Sequence, residues 1–179
     1  LPIFAREIID SSTLGMSPEQ LLGWLRAAPA AGAAVMALFM AHGPAIRRSG
    51  RALLLNVAAF GVATIVFGFS RNFWLSWLAL FLTGAFDNVS MVIRHAVVQL
   101  STPNEMRGRV SAVSAIFIGS SNELGGFESG LVAQLFSPIV SVVSGGIGTI
   151  AVVLTWMGLF PKLRSLGPLS EISEQTSEN

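Results

Sequence analysis

TGAFDNVSMVIRHAVVQL (83–100), STPNEMRGR (101–109) and VSAVSAIFIGSSNELGGFESG (110–130) form one continuous stretch on which the fold turns. Two long apolar segments are joined by a short basic turn that opens on Pro103. Each segment also carries ionisable residues: Asp87, Arg94 and His95 in the first, Glu123 and Glu128 in the second. A charge at the centre of a membrane helix costs roughly 2.5–3.5 kcal/mol on insertion scales, so such residues are rare and mark function or pairing.

The rest of the chain supplies a membrane frame for that pair. Hydrophobic residues make up 52% of the chain and charged residues 12%, with mean hydropathy +0.66. Soluble domains carry about 25% charged residues. The expected class is therefore an all-α, polytopic helix bundle whose first partner is the lipid bilayer. A net charge of +1 over 179 residues provides no field for nucleic acid. With no cysteine and only His42 and His95 as histidines, neither a metal site nor a cofactor is expected. The chain begins at Leu1 without an initiator Met and without a secretory signal, and reads as a piece of something longer.

Taken in order, LPIFA suggests the last turns of a truncated helix, and residues 1–20 complete it with an extracytoplasmic connection. Ser17-Pro18-Glu19-Gln20 carries a helix start, with Ser17 as cap and Gln20 returning the bond. The membrane bundle, 21–160, divides into spans over 21–41, 52–70, 73–100, 110–136 and 139–160, each near the roughly 20 residues that cross a bilayer. The run AAPAAGAAVMA in the first suits close backbone approach between helices. Pro29 is expected to kink that helix or mark its first turn. Thr102 and Glu105 repeat the capping pattern ahead of the fourth span. Residues 161–179 are expected to form a disordered cytoplasmic tail.

Basic residues orient the bundle. The loops 43–51 and 101–109 share a side with the C-terminus and hold Arg47, Arg48, Arg51, Arg107 and Arg109, joined there by Lys162 and Arg164. Only Arg6 and Arg71 lie on the other side, so the basic side is cytoplasmic. Trp24, Trp74, Trp77 and Trp156 fall near span ends, as an interfacial belt requires.

Asp87 and Arg94 lie two helical turns apart and share one face, with Asn88, Ser90 and His95 adding polarity nearby. Gly119, Glu123, Gly126 and Gly130 make a stripe of small residues around one carboxylate, with Asn122 beside it and Glu128 on a neighbouring face. A carboxylate in hydrocarbon holds its proton more tightly, and a nearby arginine reverses the effect. Asp87, Arg94, Asn122, Glu123 and Glu128 are thus candidates for cavity lining and proton coupling. Each has a plainer reading. Asp87–Arg94 could be a structural pair locking two helices, Glu123 an interhelical hydrogen-bonding group, and Glu128 a solvated outer residue. Arg26 is placed to snorkel to the interface, and His95 to pack. GxxxG at Gly126–Gly130 reads as close helix contact inside the bundle. No phosphate loop, catalytic triad or metal spacing is present, so an enzyme is not expected.

LRAAPAAGAAVMAL (25–38), GPAIRRSGRALL (43–54) and the stretch 83–130 together resemble the C-terminal half of a major facilitator superfamily transporter. The likeness is to its drug-efflux and enterobactin-exporter branch, and TPNEMRGRV (102–110) and NELGGFESG (122–130) are its most specific parts. The loop 43–51 matches that family's second-half gating loop, although it lacks the acidic residue often found there. The resemblance implies two six-helix halves around a midplane cavity. This chain would supply five complete helices plus the end of a sixth, and an N-terminal six-helix half would be its missing partner. It further implies proton-coupled, alternating-access export of small amphipathic substrates, drugs or siderophore-like molecules, across the bacterial inner membrane. The rival expectation is a truncated or split half-transporter acting as a non-transporting assembly partner.

Overall fold

The computed structural model describes residues 1–9, 15–42, 49–100 and 102–159. Five long helices follow a π-helical turn at Phe4–Ile8: α1 (Pro18–His42), α2 (Ser49–Phe69), α3 (Phe73–Leu100), α4 (Arg107–Leu135) and α5 (Pro138–Leu159). The fold is all-α, and the limits of α3 are those expected from the sequence. In hydrocarbon every backbone N–H and C=O must be satisfied within its own segment, which leaves the helix as the natural form of an apolar run this long.

Local capping starts three of the helices. Ser17 and Gln20 form the reciprocal box: the Gln20 amide donates to Ser17 Oγ at 3.3 Å and the Ser17 amide to Gln20 Oε1 at 3.1 Å. Asn72 Oδ1 accepts from the amides of Trp74 and Leu75 at the start of α3. Ser137 Oγ accepts from the Val140 amide at the start of α5.

The box expected at Thr102 and Glu105 does not form. Helix α4 begins later, after Met106, without a side-chain cap. Thr102 Oγ1 instead donates to the Val98 carbonyl at 2.6 Å. Arg107 Nε is placed to donate to the carbonyls of Gln99 and Thr102, each at 3.2 Å. The turn therefore closes the C-terminus of α3, where orphan carbonyls and the negative end of the helix dipole favour a cation. Replacing Arg107 with Ala is expected to cost about 1 kcal/mol and to lower the thermal midpoint of the purified protein by about 2–4 °C. An unchanged midpoint would rule this clamp out.

Glycines decide how the helices meet. At Gly32 an added Cβ would run into the Phe81 carbonyl, and at Gly84 into the Pro29 carbonyl, so α1 and α3 touch backbone to backbone. Between them Ala28 is fully buried. Pro29 lies inside α1, and the helix continues through it. Gly61 and Gly146 bring α2 and α5 together in the same way, a Cβ on either meeting the other's carbonyl at 2.8–3.0 Å. The small-residue run in α1 thus has the packing role read from it. The N-terminal turn joins this core: Phe4, Ala5 and Ile9 are buried with Leu21 and Leu25, and Phe4 lies against Phe67 with ring centroids 4.7 Å apart. Trp77 departs from the expected belt. It is half-buried and stacks on Phe81 at 5.4 Å, while Trp24, Trp74 and Trp156 stay exposed.

Helix α4 stands apart. The other four helices are long and apolar enough to cross a membrane. With 29 residues α4 has the length, but Arg109, Asn122, Glu123, Glu128 and several serines dilute its apolar character. It buries no residue within the chain. It packs on α5, where Ser141 Oγ donates to the Ser129 carbonyl at 2.8 Å. Gly119, Gly126 and Gly130 have no neighbour within reach of an added Cβ. The close contact expected of that glycine stripe is therefore not made among the described residues. A helix polar on several faces has no single apolar stripe to bury against the other four.

Candidate functional site

The cleft with charged residues opens between α2, α3 and α5 and has a volume of about 610 Å³. Leu53, Val57 and Phe60 of α2 form one wall, and Val153 and Trp156 of α5 another. Helix α3 contributes Asp87, Ser90 and Arg94. Their spacing of three and four residues brings them onto one face.

Arg94 Nη2 lies 3.9 Å from Asp87 Oδ1, and the two side chains are 55% and 51% exposed. That separation is an ion pair without a direct hydrogen bond. Arg94 is anchored at its other edge, where Nε donates to the Ser90 carbonyl at 3.3 Å. Ser90 Oγ in turn donates to the Phe86 carbonyl. The guanidinium is thus held at its base while its tip faces the carboxylate. Both residues belong to α3, so the pair closes within one helix and does not lock two together. Asn88, one residue from Asp87, has a buried Oδ1 without a hydrogen-bond partner. Such an acceptor costs about 1–3 kcal/mol. His95 is exposed.

The other candidates lie elsewhere. Asn122, Glu123 and Glu128 are exposed along α4, and none of them lines the cleft. Arg51 borders a smaller hollow of about 240 Å³ with Val153 and Met157. Arg109 is exposed, and Arg107 serves the α3 terminus as described above. Arg47 and Arg48 lie outside the described residues, as do Lys162 and Arg164. Sequence reasoning did not single out Phe60, Thr149 or Trp156 as cleft residues. Nothing in a helix apolar on every side distinguishes the face that will line a cavity.

Comparison with known proteins agrees with this architecture. The Major Facilitator Superfamily profile matches residues 2–176. The enterobactin exporter EntS of Citrobacter koseri is 29% identical over 149 residues, which cover 83% of this chain and 36% of that protein. The enterobactin exporters EntS of Escherichia coli O81 and Shigella flexneri are each 26% identical with the same coverage. The chain thus spans little more than a third of the length of the curated relatives it matches. No solved structure matches. A multi-pass bundle of apolar helices joined by glycine contacts, matched by the family profile over nearly its whole length, identifies the chain as a member of the major facilitator superfamily.

Proposed function

We propose that this chain forms the C-terminal six-helix half of a secondary active exporter, which moves small amphipathic molecules outward by alternating access in exchange for protons. The observation that carries the reading is the Asp87–Arg94 pair in a mainly apolar cleft of about 610 Å³. That volume lies within the range of small-molecule sites, roughly 300–1,000 Å³. Apolar walls suit the body of an amphipathic cargo, and the pair suits its polar group. When Asp87 takes a proton, Arg94 loses its counter-charge, so proton and cargo binding are linked through one guanidinium. The similarity to enterobactin exporters supports siderophore-like cargo. In this reading an N-terminal half supplies the facing wall. The protein lies in the inner membrane with its basic loops and C-terminus in the cytoplasm, and Arg47, Arg48 and Arg51 line a gating loop. Asn122 and Glu123 present polar groups of α4 to that other half, with Glu128 on a neighbouring face.

The test is transport by the intact protein in proteoliposomes under an imposed pH gradient. Expected are uphill movement of an amphipathic cationic dye or a catecholate, counterflow of protons, and loss of both with a protonophore. Transport indifferent to the protonophore would remove proton coupling from the proposal. Glu123→Gln is expected to lower the coupled rate severalfold, and full-rate coupled efflux by that variant would take Glu123 out of the mechanism.

A further inference from the structure

Helices α2 and α3 meet at the turn Ser70–Asn72 and leave an apolar groove of about 410 Å³ between them. Ala59, Ala63 and Ala79 recess its floor where larger side chains would fill it. The groove shares no lining residue with the Asp87 cleft, and no polar side chain lines it. It runs from Val66 and Leu75, beside the turn, to Phe86. Eleven residues of α3 correspond to about 16 Å at 1.5 Å per residue. That is one leaflet of a hydrocarbon core about 30 Å thick.

A cation lies in the turn that joins the two helices beyond that end of the groove. Arg71 lies in the turn itself, four residues from Leu75 and five from Val66, and is exposed. Its guanidinium has no ion pair or hydrogen bond among the described residues. Trp74, 65% exposed, marks the same level as membrane interface. Arginine matches a phosphate with paired N–H donors.

We propose that this groove binds a net-anionic phospholipid, with one acyl chain between α2 and α3 and the phosphate on Arg71. The measurement is native mass spectrometry of the intact protein, delipidated and then supplied with phosphatidylglycerol or phosphatidylethanolamine of matched chains. The wild type is expected to retain the anionic lipid about fivefold more than the zwitterionic one, which corresponds to about 1 kcal/mol from a single arginine–phosphate contact. Arg71→Gln should bring that ratio to about one without affecting folding, because Arg71 has no partner to lose. Ala59→Phe, at a half-buried position, should abolish retention of both lipids. Equal retention by the wild type, or a ratio unchanged in Arg71→Gln, would overturn the proposal. Retention of neither lipid would also overturn it, and would mean that other helices of the intact protein cover the groove. Should Ala59→Phe fail to fold, the Arg71→Gln ratio alone decides.

Discussion

Asp87→Asn in the intact protein is expected to reduce proton-driven efflux by about tenfold or more, with cargo binding less affected than turnover. Asparagine keeps the shape of the side chain but can neither carry the charge nor take up the proton. Arg94 is then left without its counter-ion in an apolar cleft. Removing one member of a fully buried pair costs about 3–5 kcal/mol. This pair is half exposed, so screening brings its static cost down to about 1 kcal/mol or less. The rest of the expected loss comes from the missing proton carrier, since asparagine cannot take up the proton that drives the cycle. Arg94→Lys should be milder, since it retains the charge and loses only the anchor to the Ser90 carbonyl. The exchanged variant, Asp87→Arg with Arg94→Asp, should recover part of the rate if the pair acts through its charges. Initial rates with and without an imposed pH gradient provide the check: the gradient should accelerate the wild type and leave Asp87→Asn unaffected. A wild-type response to the gradient in that variant would exclude the pair from coupling.

Gly84→Ala is expected to have the largest effect on stability of any single methyl added to this chain. The new Cβ would coincide with the Pro29 carbonyl of α1. Both partners are backbone, so no rotamer change relieves the overlap, and α1 and α3 would have to separate. Overpacking usually costs about 1–3 kcal/mol where side chains can yield. Here they cannot, so a loss above about 3 kcal/mol is expected. The same substitution at Gly23, which has open space around it, supplies the control. There alanine should be neutral or stabilising by about 0.5–1 kcal/mol, because glycine in a helix interior is disfavoured by that amount. Thermal unfolding in detergent, followed by the fraction remaining monodisperse, measures both. Equal behaviour of the two variants would show that α1 and α3 do not approach as described.

Family membership was legible from the motifs at 102–110 and 122–130, and the profile match over residues 2–176 supports it. The site was only partly legible. Asp87 and Arg94 stood out because ionised groups are costly in an apolar run and because seven-residue spacing aligns them. Glu123 stood out for the same reason, yet it is exposed on a helix that buries none of its residues among the described ones. Charge in an apolar segment marks a residue as unusual without saying which neighbour it faces. The turn at Thr102–Met106 misled for a related reason. Thr-Pro-Asn-Glu satisfies a capping pattern, but the same threonine hydroxyl can bond back to the preceding helix, and Arg107 reinforces that alternative.

The sequence alone determined the all-α class, because backbone hydrogen bonding in hydrocarbon is settled within each apolar segment. It also determined which helix could approach another closely, through the small residues of α1. Only the tertiary structure decided that Gly84 receives the Pro29 carbonyl, that Trp77 packs inward, and that α2 and α5 wall the cleft in which Asp87 and Arg94 meet. In a bilayer the apolar faces of these helices are equivalent toward lipid. Their orientation is set by shape at the glycine contacts, and shape is a property of pairs of helices that no single segment carries.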